Sequence, residues 1–169
     1  MSKTSLLVSM IVLGLAGAAH AGGQAGSIGV GAEYQMSGVG GLSVVYDAGL
    51  FHVGGMIGFD DPAGANNTVF QLAGEFYYHV HHSAFADFGL GGSLGFNSVP
   101  VPPMGMVGNQ RNTEVYLEPG FQIRAFLSSN VALSATAGLI IGTVDASRVA
   151  ITGQNFGASG GVGIHYYFY

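Results

Sequence analysis

The sequence predicts an all-β fold: an eight-stranded antiparallel up-and-down transmembrane β-barrel. Three observations lead there. The 169-residue chain is 49% hydrophobic and only 8% charged, against roughly 25% charged for an average soluble domain, so it has too few charges to wet a globular surface. After the first twenty residues no apolar run reaches the roughly 18 residues a membrane helix needs. The hydrophobicity is instead dispersed in period-two alternation, which recurs eight times. A strand in a membrane barrel requires this pattern, because successive side chains meet lipid and lumen in turn.

The first alternating segment sets Ile28, Val30, Ala32 and Tyr34 against Ser27, Gly29, Gly31 and Glu33. The second sends Leu42, Val44 and Tyr46 outward, with Ser43 and Asp47 inward. The third places Phe51, Val53, Ile57 and Phe59 opposite His52, Gly54, Met56 and Gly58. The fourth alternates Phe70, Leu72, Phe76, Tyr78 and Val80 with Gln71, Ala73, Glu75, Tyr77 and His79. In the fifth, Phe88, Leu90, Leu94 and Phe96 oppose Asp87, Gly89, Gly91, Ser93 and Gly95. The sixth sets Val115, Leu117, Phe121 and Ile123 against Glu114, Tyr116, Glu118, Gln122 and Arg124. The seventh sets Val131, Leu133, Ala135, Leu139 and Ile141 against Ser134, Thr136, Gly138 and Gly142. The last sets Phe156, Val162, Ile164, Tyr166 and Phe168 against Ser159, Gly161, Gly163, His165 and Tyr167.

A soluble barrel would turn its large apolar residues inward and its charges outward. Here the small and ionisable residues share one face, which suits a narrow, filled lumen. Connections alternate in length. Asp47–Gly49, His81–Ser83 and Leu127–Asn130 are short, as periplasmic turns are. Asp60–Asn67, Asn97–Asn112 and Asp145–Gly153 are longer, as extracellular loops are. Ser37–Gly41 is short but falls in the extracellular set by order. Asp60-Asp61-Pro62 and Asn66-Asn67 read as turn chemistry. Pro119 cannot donate to a ladder, so a bulge or kink is expected at Glu118–Gly120.

Residues 1–21 read as a cleaved signal peptide. Lys3 is the positive start, Leu6 to Ala19 the short apolar core, and Ala19-His20-Ala21 the small-x-small site, with cleavage between Ala21 and Gly22. The barrel then spans 22–169. The chain has no cysteine, hence no disulfide framework. Beyond the leader its only basic residues are Arg111, Arg124 and Arg148, against nine acids, so no nucleic-acid surface is expected.

These features, with the aromatic ending Tyr166-Tyr167-Phe168-Tyr169, resemble the small eight-stranded outer-membrane proteins: the OmpX-like, opacity-like and OmpA transmembrane-domain families. The resemblance spans the whole chain after the leader and rests on pattern. It implies a Gram-negative outer membrane as the location, lipid and lipopolysaccharide as surroundings, and a monomer. It also implies that Tyr166, Phe168 and Tyr169 form the signal read by the barrel-assembly machinery. In those families the terminal residue belongs to the lipid-facing set. Here Phe168 continues that set and Tyr169 falls on the other parity.

The inward set Asp47, His52, Glu75, His79, Asp87, Glu118 and Arg124 is expected to form a polar network in the periplasmic half, because buried charges must be paired or solvated. Such a network fills and locks the lumen; the alternative is a narrow proton or solute path. His79, His81 and His82 raise a metal site. Alternation puts His79 and His81 on one face and His82 on the other, the last two in a turn, and no CxxC or HExxH spacing supports it, so no metal and no cofactor is expected. No GxSxG elbow is present and the lipid-facing sets hold no Ser–His–acid constellation, so no catalysis is expected; a lipid A-modifying enzyme is the third reading. The stiff, apolar loop stretch Val99, Pro100, Val101, Pro102, Pro103, Met104 and Met106 is either a surface contact patch or a plug folded over the mouth. Arg111 and Arg148 are placed to meet lipopolysaccharide phosphates or solvent. The function expected is structural: membrane integrity, with surface interaction through the loops; the alternative is a narrow channel or a small-solute-binding barrel.

Overall fold

The computed structural model describes residues 23–61, 68–100, 111–143 and 156–169. The leader expected over 1–21 lies outside them. Eight strands follow in chain order: β1 Ile28–Gln35, β2 Gly40–Asp47, β3 Phe51–Asp60, β4 Val69–His82, β5 Ala86–Pro100, β6 Arg111–Phe126, β7 Val131–Gly142 and β8 Phe156–Phe168. Each pairs antiparallel with its sequence neighbour, and β1 pairs with β8 from Ile28↔Phe168 to Gln35↔Gly161. The barrel is therefore closed and has no free edge to template aggregation. The strands are staggered round the ring, so they run tilted to the barrel axis, roughly 35–45° in barrels of this kind.

Alternation decides which side chain faces where, and the expected faces hold. Phe70, Leu90, Phe121 and Ile164 are exposed on the outer wall, whereas Asp87, Glu118 and Arg124 are buried inside and Glu75 faces the lumen with them. The outer wall is a continuous apolar belt that includes Leu42, Val44, Ile57, Leu72, Leu94 and Val162. A belt of this area cannot be left in water without association, whereas acyl chains accept it.

The strand ends differ most from expectation in β4, β5 and β6. β5 continues to Pro100 and β6 begins at Arg111, so Asn97–Pro100 and Arg111–Thr113 belong to the wall, not to a loop. Val99 and Pro100 accordingly pair with Asn112 and Arg111. β4 runs through His81 and His82, and the turn lies at Ser83–Phe85, closed by Ser83 N–H donating to the Ala86 carbonyl at 3.0 Å. At Pro119 no register shift occurs. β6 keeps its register to β5 throughout, with Gly92↔Pro119 opposite one another. Towards β7 the ladder lapses after Leu117↔Ile141 and resumes in the same register at Gly120↔Gly138. The proline's missing donor is thus spent on a single gap. Gly120 and Gly138 let the two backbones close up beside it, since a Cβ on either would strike the other strand's main chain. On the outer wall Pro119, Gly92 and Gly74 form the floor of an apolar depression of about 810 Å³, flanked by Leu72, Leu94 and Leu117.

The irregularity that does occur was not expected. Between His79↔Gly89 and His81↔Phe88 the β4–β5 register shifts by one residue, leaving Val80 as the extra residue of a β-bulge. A one-residue shift reverses the faces of everything beyond it. His81 now stands opposite the outward Phe88, and His82 opposite the inward Asp87.

Inside, large luminal side chains lie across glycines on the neighbouring strand. Tyr116 covers Gly95, Tyr167 covers Gly29, Glu75 covers Gly54 and Glu33 covers Gly163. An eight-stranded lumen has little room, and the missing side chains provide the volume these groups occupy.

Candidate functional site: the luminal network

The end of the barrel that carries the short turns holds an ionic layer centred on Arg124. This arginine lies on β6, two residues before the strand ends, and faces inward. Its Nη2 donates to Asp47 Oδ2 and to Asp87 Oδ2, both at 2.6 Å, and lies 3.1 Å from His79 Nε2. Nη1 donates to the Tyr167 hydroxyl at 3.1 Å. The guanidinium carbon sits 5.4 Å from the Phe126 ring centroid and 5.9 Å from that of Tyr167, within cation–π range. All of these groups are at most 8% exposed; Asp47 is fully buried. Charges so buried are tolerable only because they are paired and hydrogen-bonded.

Each partner is fixed by its own turn or strand. Asp47 ends β2, and its Oδ1 accepts the Gly49 N–H at 2.7 Å, which holds the β2–β3 turn where Gly49 adopts φ +85°. His79 Nδ1 lies 2.7 Å from the Gly49 carbonyl. A carbonyl can only accept, so Nδ1 carries the proton and Nε2 presents its lone pair to the layer. His52 Nδ1 is 2.8 Å from that Nε2, and His52 Nε2 faces Glu75 Oε1 at 3.9 Å.

Six of the seven expected network residues are thus contiguous: Asp47, His52, Glu75, His79, Asp87 and Arg124. Glu118 is luminal but separate, accepting from Ser93 Oγ at 3.3 Å. Two members were not expected. Tyr167 is among the most buried side chains of the barrel. His82 reaches Asp87 through the bulge, with its Nδ1 in contact with Asp87 Oδ1. The sequence signals were present, an inward parity for Tyr167 and an acid opposite the histidines, but parity alone does not join Tyr167 to the charged set.

Above this layer Ser43 Oγ lies 2.6 Å from His165 Nε2, and Glu33 Oε1 lies 3.7 Å from the same nitrogen. A nucleophile–base–acid relay needs the serine and the acid on opposite ring nitrogens. Both here converge on Nε2, inside the wall, so the trio does not have relay geometry. Between Glu33, Gln35, Glu75, Ser134 and Thr136 there is a void of about 10 Å³, at the lower limit for one water molecule. Nearer the other end, Val39, Met56, Ala73 and Tyr116 close into an apolar cluster, so the lumen is layered, ionic at one end and apolar towards the other.

At the surface, Arg111 is exposed at the start of β6 and donates to the Thr68 and Ser98 carbonyls at 2.7 and 3.0 Å. Val99 and Pro100 are half-buried in β5; Val101, Pro102, Pro103, Met104, Met106 and Arg148 lie outside the described residues. Tyr166 and Phe168 pack edge to face outside, with ring centroids 5.0 Å apart. Tyr169 follows β8, exposed, its hydroxyl donating to the Ser129 carbonyl.

No family model matches the chain, and no curated protein matches it significantly in sequence. Among solved structures it is similar to the N-terminal β-barrel domain of Pseudomonas aeruginosa OprF, known from a crystal structure, with a TM-score of 0.59 and 12% identity. The match covers 87% of this chain and 99% of that one. At this identity the likeness concerns the fold alone, a small closed β-barrel.

Proposed function

We propose that this protein is a monomeric β-barrel of a Gram-negative outer membrane that acts structurally and through surface contact rather than as an open pore or an enzyme. The observation that carries the reading is the combination of an apolar outer belt with a doubly closed lumen. The Arg124 layer closes one end, and the Val39–Met56–Ala73–Tyr116 cluster closes the lumen nearer the other. Membrane surroundings account for the belt, and the likeness to an outer-membrane barrel supports the place. In this reading a leader at 1–21 directs export, and Tyr166, Phe168 and Tyr169 form the exposed aromatic group offered to the assembly machinery.

Surface contact is supported by the uneven wall. β5 and β6 have 15 and 16 residues against eight in β1 and β2. Their hairpin, with the loop stretch from Val99 to Met106, is the natural place for a partner, and Arg111 beside it suits a lipopolysaccharide phosphate. Three experiments test the proposal. Membrane fractionation followed by unboiled and boiled gel electrophoresis should find the protein in the outer membrane with heat-modifiable mobility. Planar bilayers should stay silent; stable discrete openings would replace the closed barrel by a narrow channel. Deleting 101–110 should abolish surface binding with permeability unchanged.

A further inference from the structure

The bulge at Val80 builds something that strict alternation forbids. It turns His82 to the same side as His79 and Asp87, and one ligand atom from each of the three falls within 4.8 Å of the others. One ground for expecting no metal, His82 on the far face, is thereby removed. We propose that His79, His82 and Asp87 form a binding site for a borderline divalent transition ion, zinc being the representative, at the turn end of the barrel.

Four features of the geometry favour a cation here. The chemistry of the donors is right: two imidazoles and a carboxylate suit zinc, copper or nickel and not calcium or magnesium. His79 is oriented as metal-bound histidines are, its Nδ1–H held by the Gly49 carbonyl so that the Nε2 lone pair points to the site. Asp87 is 2% exposed, and its Oδ1 is left over by Arg124, which uses Oδ2, and is met only by His82 Nδ1, another of the proposed ligands. Finally, the His82 side chain is 47% exposed, which gives an ion an entry path and the ligand freedom to swing.

Tetrahedral ligands at about 2.0–2.1 Å from zinc stand about 3.4 Å apart. Closing 4.8 Å to that spacing needs a shift of little more than 1 Å, within the reach of His82's side-chain rotation. His52 Nδ1, 2.8 Å from His79 Nε2, donates to that lone pair and is displaced when an ion takes it. Arg124 is the competing cation, 3.1 Å from His79 Nε2. With Asp47 and Asp87 bound to it, the trio carries one net negative charge, so a second cation is not repelled by the group as a whole. Water completes the coordination from the open side.

The test is calorimetric titration of Zn²⁺ into tag-free protein purified from membranes in detergent. One saturable equivalent is expected. His82→Ala should weaken it by at least about tenfold, while His81→Ala, whose side chain lies outside the wall, should not. Heat-modifiable mobility checks that each variant is folded, and His82→Asp, which keeps a ligand, should restore part of the affinity. Absence of saturable binding, a His82→Ala variant that binds as well as the parent, or an equal loss in His81→Ala overturns the site.

Discussion

Replacing Arg124 by methionine keeps most of the side-chain volume and removes the charge. In the parent, one nitrogen bridges Asp47 Oδ2 and Asp87 Oδ2, each at 2.6 Å. Without it the two carboxylate oxygens stand no more than about 5 Å apart, and at an effective dielectric constant of about 20 their repulsion is about 3 kcal/mol. The Tyr167 hydroxyl also loses its donor. The remaining carboxylates can relieve part of this by taking up protons or water, so the expected net loss is about 3–5 kcal/mol, the range for breaking one side of a buried pair. The assay is equilibrium urea unfolding of the refolded barrel in detergent. Because the chain has no tryptophan, far-UV circular dichroism reports the transition. A triple variant, Arg124→Met with Asp47→Asn and Asp87→Asn, should recover most of the loss, since it removes the stranded charges and leaves the Gly49 N–H an acceptor. The reasoning fails if Arg124→Met lies within roughly 1 kcal/mol of the parent, or if the triple variant is as unstable as the single one.

Leu94→Arg places a charge on the outer wall in the middle of β5 and should cost about 2–4 kcal/mol in a lipid bilayer; a folded, heat-modifiable band from liposomes at parental yield would contradict the membrane-facing assignment. Gly95→Ala sets a methyl into the Tyr116 ring and should destabilise by about 1–3 kcal/mol through overpacking. In a Tyr116→Ala background that penalty should largely vanish, and additive losses in the double-mutant cycle would show that the two do not pack as described. Joint truncation of the apolar layer, Met56→Ala with Tyr116→Ala, should leave planar bilayers silent while Arg124 remains in place; conductance from that variant would mean the ionic layer alone does not close the lumen.

The wall was legible because period two is a local property. Phe70, Leu90, Phe121 and Ile164 could be assigned outward, and Asp87, Glu118 and Arg124 inward, from neighbours two residues away. What depended on pairing across strands was not. The stretch Tyr78-His79-Val80-His81 alternates without a glycine or proline to mark a bulge, so His82 was assigned to the wrong side; only the register against β5 shows the shift. Pro119 illustrates the converse. A strong local signal suggested an irregularity, yet Gly92 opposite and Gly120 and Gly138 alongside absorb the proline without a shift. The apolar cluster was invisible for the same reason as the bulge. Val39, Met56, Ala73 and Tyr116 come from four places in the chain; the last three look locally like further inward side chains, and Val39 falls in the Ser37–Gly41 connection.

The position of the ionic layer follows from how the hairpins are joined. Asp47 is the last residue of β2, Asp87 the second of β5, and Arg124 lies two residues before the end of β6, so all three sit beside short turns. Tyr167, next to the end of β8, brings in the closing strand. A single guanidinium therefore ties the three short-turn hairpins and the final strand together at the end where the barrel closes. Towards the opposite end, where the connections are mostly longer, the Val39–Met56–Ala73–Tyr116 cluster adds apolar contacts, which are non-directional and tolerant of volume-conserving change, beside the hydrogen bonds of Gln71 to Gly38 and Gly40. The buried ionic bonds, which demand one geometry, are concentrated at the end whose turns are tight enough to supply it. The loops at the other end can then change in sequence and length without disturbing the network that fixes the barrel, which is the arrangement a surface-contact role requires.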